Sequence, residues 1–254
     1  MFHAGALSVY PEWDSWNRVL KPGGQALKNR LNTLKKRKQR TVIGIETGNT
    51  PGKLGAAVVE VSGQGDKTVL YLKGFQSYEL PGELETALET IEGGGSFDAE
   101  EKAGLNFLVL HHISNLCQEL VEKSGIVFSG VDLIGLKCLE VGGEVFPTDP
   151  SVLSEMTGIV IASRFYIGVE GKDGEFLPVR ESLLQGMVGD MVERYGLDSD
   201  VREAVVVALL ANESLFHERF ETCKREGKRP TVKSAKIAGC RPDAHLCGEF
   251  FFPA

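Results

Sequence analysis

Three features of the sequence predict an α/β fold with a mixed sheet. Residues 41–75 read as three strands in an antiparallel meander. Two later apolar runs, Val131–Gly135 and Ile159–Ala162, read as buried strands. Segments of helical periodicity lie between and after them, so strands and helices alternate. The chain has 254 residues, 42% of them apolar, which suits one large domain or two small lobes around a cleft.

Residues 1–40 read as a basic extension in front of a fold that occupies 41–254. They hold nine Lys or Arg against two Asp or Glu, a net +7, so the remainder carries −14 within the total of −7. Trp13 and Trp16, three apart, make one small helical face, and Pro22-Gly23-Gly24 breaks the segment. The run Lys35-Lys36-Arg37-Lys38-Gln39-Arg40 fits a solvated helix face, and an import signal or phosphate-binding patch as alternatives. Deleting residues 1–35 is expected to leave the core folded, because they add no recognisable strand.

Thr41 to Val61 is the centre of the pattern. Val42, Ile43 and Ile45 form one apolar run and Ala56 to Val61 a second, joined by turn residues from Glu46 to Lys53. The joining loop has Gly48, Gly52, Gly55, two threonines and Lys53. Its N–H groups, hydroxyls and ammonium suit a phosphate, and an ordinary hairpin turn needs the same residues. The glycine spacing is neither that of a P-loop nor of a dinucleotide fingerprint. Thr68–Phe75 is the third strand. A helix follows at Glu83–Glu92, then a loop through Gly93-Gly94-Gly95, then a helix capped by Ser96 or Asp98. Leu105, Leu108, His112, Leu116 and Leu120 give Leu105–Lys123 the clearest helical period, with Gly125 as its stop. Adjacent His111 and His112 point about 100° apart on a helix, which suits a packed or surface pair and not one metal.

Val131–Gly135 enters a loop from Leu136 to Val141, a position that commonly carries function in α/β folds. Pro150–Gly158 reads as a short helix, Ile159–Ala162 as a strand with Ser163-Arg164-Phe165 at its end, and 168–174 as a loop. Ser182–Tyr195 and Asp200–Cys223 read as helices, the second capped by Ser199, and Phe250-Phe251-Phe252 as a strand.

Five cysteines without a CxxC pair point to a reducing compartment. No apolar run approaches the roughly 20 residues of a membrane span, and the amino terminus carries no signal-peptide core. A cytoplasmic protein without a membrane is expected. Net negative charge argues against nucleic acid as a partner.

Several of these segments, in this order, resemble the anhydro-N-acetylmuramic acid kinase family. Ile43-Gly44-Ile45 with Gly48-Asn49-Thr50 is similar to its G-T-S-L-D-G phosphate loop, and Val131-Asp132-Leu133-Ile134-Gly135 to its I-D-L-I-G strand. The most specific match is Pro150–Ile159, which resembles P-x-x-I-A-E-x-T-G-I. Gly171–Pro178 resembles its G-G-Q-G-A-P-L loop, Leu197–Leu210 its D-x-x-E-A-x-A-F-A-L-L helix, and Gly227–Gly239 its G-x-x-P-S-V-T-G-A segment. The resemblance implies an actin-like ATPase fold (ribonuclease H-like), a mixed sheet with flanking helices, with the second lobe truncated.

The departures decide the functional expectation. The acidic positions of the phosphate loop fall on Gly52 and Gly55, and the family's H-G-Q-T falls on Lys137-Cys138-Leu139-Glu140. The catalytic aspartate of its A-D-F-R falls on Ser163, and serine does not accept a proton as a carboxylate does. The family's D-N-P-G-N and adenosine-lining V-S-G-G-G-A-x-N strings are absent. Phosphoryl transfer needs positioned phosphates, Mg²⁺ ligands and a base, so ATP-dependent phosphotransfer is expected to be lost, with no cofactor and no metal site. The expectation is a cleft repurposed for a small molecule, acidic or carbonyl-bearing, with ATP-independent cyclisation or isomerisation as its chemistry. Glu46, Lys137, Glu140, Ser163 and Arg164 are the candidate catalytic groups, and Gly48, Asn49, Thr50 and Lys53 the candidate binding groups. The alternatives are a pseudokinase acting as an interaction protein and an active kinase using Glu46 or Glu140 as base. A shortened lobe leaves apolar surface for a partner or a second copy to cover, a homodimer.

Overall fold

The computed structural model describes residues 24–47, 52–64, 68–137, 140–141, 144–145, 148–170, 176–178, 199–216 and 244–253. Helix α1 (Gly24–Lys36) leads into β1 (Gln39–Glu46), β2 (Lys53–Ser62) and β3 (Val69–Glu79), the expected meander. Helices α2 (Gly82–Glu92) and α3 (Ala99–Lys123) follow, then β4 (Leu133–Leu136) and a small hairpin of β5 (Glu140–Val141) and β6 (Glu144–Val145). Helix α4 (Pro150–Thr157), β7 (Ile161–Glu170), β8 (Phe176–Pro178), α5 (Ser199–Ser214) and β9 (Ala244–Phe251) complete the described elements.

Seven strands form one sheet in the order β3-β2-β1-β4-β7-β8, with β9 also paired to β7. β1, β4 and β7 run parallel, while β2 and β3 on one side and β8 and β9 on the other run antiparallel. A parallel neighbour needs a crossover connection, and α2 with α3 supplies it between β3 and β4. This is the mixed α/β sheet with flanking helices that the sequence predicts. β7 runs to Glu170, so the expected loop at 168–174 begins as strand. The expected helix at 182–195 and the stretch 217–243 lie outside the described residues, as do Trp13 and Trp16.

Period-two alternation divides the sheet between two cores. Ile43, Ile45, Val58 and Ile134 face α2, α3 and α4, meeting Leu88, Leu110, Ile113, Leu120 and Leu153. Val42, Val59, Val61, Leu133 and Ala162 face α1 and α5, meeting Leu31, Leu34, Val201, Ala204 and Ala208. Asp98 is the cap of α3: its carboxylate accepts from the N–H groups of Glu100 and Glu101, and Glu101 accepts from the Asp98 N–H in return. Gly125 adopts φ +69° just past the helix end, the left-handed turn the sequence assigns to it. His112 shares a 2.8 Å hydrogen bond with the Tyr78 hydroxyl, and burial lowers its pKa. His111 lies beside Asn115 on the exposed side, so of the two histidines one is packed against Tyr78 and the other lies at the surface. Cys117 is fully buried in α3, and burial pushes its thiol up to about 12.

Residues 24–40, on the near side of the boundary expected at 40, pack against the sheet. Leu31 and Leu34 of α1 are both buried in the second core. The basic run also divides. Lys36 and Lys38 are exposed, Arg37 pairs with the buried Asp132, and Arg40 lies inside β1 at 2% exposure. Arg40 Nε donates to Asn212 Oδ1 at 2.7 Å, Nη1 to the Arg37 carbonyl at 2.6 Å and Nη2 to the Gly63 carbonyl at 2.7 Å. The Phe216 ring lies 4.9 Å from the guanidinium carbon. Burial lowers the Arg40 pKa against the opposing pull of Glu213 and Asp132. Burial likewise raises the Asp132 pKa, outweighing the Thr41 N–H and Arg37 that favour its charge.

Removing residues 1–35 is therefore expected to destabilise the protein, contrary to the expectation from sequence. Two buried leucines are lost, each worth about 1.5–3 kcal/mol. Circular dichroism melts are expected to show a drop of at least about 6 °C. A truncated chain melting within about 2 °C of the full one would make α1 an appendage after all.

Candidate functional site

β1 and β4 are adjacent and parallel, and the chain leaves them in opposite directions, towards β2 and towards β7. In an open α/β sheet such a reversal leaves a crevice beyond the carboxyl ends of the two strands, where ligands bind. Glu46 ends β1 there with Thr47 just past it, and Lys137 follows β4. The strand pairing continues to that point, with the Lys137 N–H donating to the Ile45 carbonyl at 3.0 Å. Thr47 Oγ1 donates to the Lys137 carbonyl at 3.0 Å and Ser163 Oγ to the Leu136 carbonyl at 2.7 Å.

A row of small residues brings α5 onto this end of the sheet. Ala57, Gly44, Gly135 and Ala162 lie in register across β2, β1, β4 and β7. A Cβ on Gly44 would lie 1.9 Å from the Ala204 carbonyl oxygen and 2.6 Å from the Ala208 nitrogen. A Cβ on Gly135 would lie 2.6 Å from the Val207 carbonyl oxygen and 2.9 Å from Ala211 Cβ. The helix backbone thus rests directly on the strands, and Glu203 reaches the strand ends one residue before Ala204.

Lys137 Nζ donates to Glu46 Oε1 at 3.0 Å and to Glu203 Oε2 at 3.4 Å. Glu46 is buried, and the Lys137 and Glu203 side chains are each about one-third exposed at 30% and 27%. Among the described residues the cluster brings one cation and two carboxylates together on the face that α5 covers. Chemically it offers carboxylates for proton transfer and an ammonium for developing negative charge.

The structure brings together two of the sequence-derived candidates, Glu46 and Lys137. Ser163 is fully buried, and its hydroxyl ties β7 to β4, so it belongs to the sheet and not to an open cleft. Lys53 is exposed at the start of β2, opposite Glu79 in register. Glu140 lies in β5 and Arg164 in β7, but their side chains, with Gly48, Asn49 and Thr50, are outside the described residues. Among the described residues no group of three His, Cys, Asp or Glu is placed to hold a metal. None of the described helices is long and apolar enough to cross a membrane. Glu203 was missed from sequence. Its signal was present, because Asp200-Val201-Arg202-Glu203-Ala204 matches the D-x-x-E-A opening of the segment it resembles.

The class these features define is a mixed-sheet α/β protein of sugar-kinase-like architecture. No family model matches the chain. It is 24% identical over 173 residues to an anhydro-N-acetylmuramic acid kinase of Caldanaerobacter subterraneus subsp. tengcongensis, a match covering 61% of this chain and 44% of that protein. It is 30% identical over 84 residues to an anhydro-N-acetylmuramic acid kinase of Picosynechococcus sp., covering 33% of this chain and 22% of that protein. The chain thus matches less than half the length of either curated relative. Both similarities bear out the resemblance read from the sequence, and they make the chain kinase-like.

Proposed function

We propose that this is an anhydro-sugar-kinase-like protein that no longer performs ATP-dependent phosphotransfer, and whose strand-end site binds a small molecule. The observation carrying this reading is the Glu46–Lys137–Glu203 cluster. Lys137 stands where the resemblance aligns the histidine of H-G-Q-T, and Ser163 stands where it aligns the catalytic aspartate. The charge of Lys137 is already matched by two carboxylates. That favours a neutral, carbonyl-bearing ligand over an acidic one, which would have to displace Glu203 or Glu46. Proton transfer within such a site would fall to the carboxylates, and cyclisation or isomerisation are reactions of that kind.

The alternative of a non-catalytic interaction protein draws on the edge strand β3, where Val69, Tyr71 and Phe75 are exposed. A register shift opposite Val58/Val59 separates them. Phe75 stands across from Ala57 on the α5 side, while Tyr71 stands across from Glu60 on the other, so they form no single patch.

Titration calorimetry with MgATP tests the reading. No binding heat is expected at about 1 mM nucleotide, and a dissociation constant below about 100 μM, about −5.5 kcal/mol, would revive the kinase reading.

A further inference from the structure

Among the described strands β3 ends the sheet, and at 11 residues it is long for an edge. An edge strand carries a row of backbone groups that no neighbouring strand satisfies, and folds commonly blunt it with proline, lysine or a bulge. β3 is blunted in one half alone. The register shift opposite Val58/Val59 leaves Lys73 as the extra residue between Leu72 and Gly74. From Gly74 to Glu79 the pairing with β2 is even, and that stretch has no proline. The Leu80 N–H donates to the Gly52 carbonyl at 2.7 Å, so residue 80 and, by alternation, 78, 76 and 74 turn their backbone groups to β2. Phe75, Ser77 and Glu79 therefore turn theirs to the outer edge, and all three are exposed. Tyr71 and Phe75 lie on opposite faces, so what β3 presents is a ladder and not an apolar patch.

We propose that the outer edge of β3 pairs antiparallel with β3 of a second copy of this chain, about a two-fold axis at Gln76. A two-fold interface sets one residue against a second, and the second against the first. Phe75 and the partner's Ser77 then exchange both backbone bonds, as do Ser77 and the partner's Phe75. The charges choose this register. Lys73 and Glu79 are the charged residues of β3, and they lie three positions either side of Gln76. An axis at Gln76 sets the cationic end of each strand against the anionic end of the other, whereas an axis at Lys73 or at Glu79 sets like charges together. It also brings the two Phe75 rings diagonally across the pair, within reach of each other. Within one chain Lys73 is 3.4 Å from Glu60, and Glu79 stands opposite Lys53, partly exposed pairs of a kind that holds side chains weakly. Gln76 Oε1 accepts from Lys123 Nζ at 3.0 Å, and Glu119 at 3.5 Å offsets that charge near the axis. The interface uses no residue of the Glu46–Lys137–Glu203 cluster, so it stands or falls apart from the proposed function.

Sedimentation velocity on the full chain is the first measurement. The parent is expected to exchange between monomer and dimer with a dissociation constant of about 10⁻⁵–10⁻⁴ M, suiting a small interface. Ser77→Pro removes an outward N–H without touching the bonds to β2, a place where an edge strand tolerates proline. It is expected to weaken dimerisation at least about tenfold, while melting in dilute solution within about 2 °C of the parent. Gln76→Cys tests the register. Residues facing each other in a non-hydrogen-bonded pair have Cα atoms about 4.5 Å apart, inside the range a disulfide spans. Mild oxidation is expected to link Gln76→Cys chains into covalent dimers. Glu79→Cys and the parent are expected to stay unlinked, because residue 79 faces the partner's Lys73 and not its own copy. The proposal is overturned if the parent stays monomeric at about 1 mM, if folded Ser77→Pro dimerises as the parent does, or if Gln76→Cys links no faster than Glu79→Cys. If Ser77→Pro folds poorly, the two cysteine variants decide.

Discussion

Gly44→Ala is expected to lower the melting temperature by about 6–12 °C, a loss of about 3 kcal/mol or more. The added methyl would meet the Ala204 carbonyl oxygen at 1.9 Å and the Ala208 nitrogen at 2.6 Å. These are backbone atoms of α5, so no rotamer change relieves the clash and the helix itself must move. Gly135→Ala is expected to act in the same direction with a smaller effect, since its closest contact is 2.6 Å. Gly82→Ala is the control: nothing lies within 4 Å of its added carbon, and it opens α2, so it is expected to be neutral or slightly stabilising. Thermal melts of the three variants decide the matter. A Gly44→Ala protein melting like Gly82→Ala would show that α5 does not rest on β1. Displacing α5 also moves Glu203, so the Gly44 variant is expected to disturb the strand-end cluster along with the fold.

Arg40→Met is expected to cost about 3–5 kcal/mol, the range for removing one partner from a buried charged network. The methionine fills much of the volume but leaves Asn212 Oδ1 and the carbonyls of Arg37 and Gly63 without their donor. It also leaves Glu213 and Asp132 without a cation that offsets their burial. Arg40→Lys is expected to recover only part of the loss, because one ammonium does not reproduce a planar fork reaching three acceptors. Urea melts are the measurement. A loss under about 1 kcal/mol, typical of an exposed ion pair, would place Arg40 on the surface with the rest of the basic run.

The two glycines show where the sequence is legible and where it stops. Gly44 and Gly135 stand out as members of apolar strand segments that resemble one family, and the strands formed as read. The need for glycine is not visible locally, because it arises from a helix about 160 residues further along the chain than β1. The basic run from 35 to 40 fails as a single unit for the same kind of reason. Its composition predicts a solvated face, and Lys36 and Lys38 are exposed as predicted. Arg37 and Arg40 instead find Asp132 and Asn212, 95 and 172 positions away.

By itself the sequence determined the main elements: the meander, the helical period over Leu105–Lys123 with a cap at Ser96 or Asp98 before it, and the buried strands at Val131–Gly135 and Ile159–Ala162. Those features rest on period, caps and turn residues, which act within a few positions of the chain. It also marked Glu46 and Lys137, since both stand at strand ends. Only the tertiary structure decided that they meet across 91 positions, that Glu203 joins them, and that Ser163 is turned into the sheet. Strand register and the docking of α5 on a row of small residues set those contacts, and neither is encoded in any local stretch of the chain.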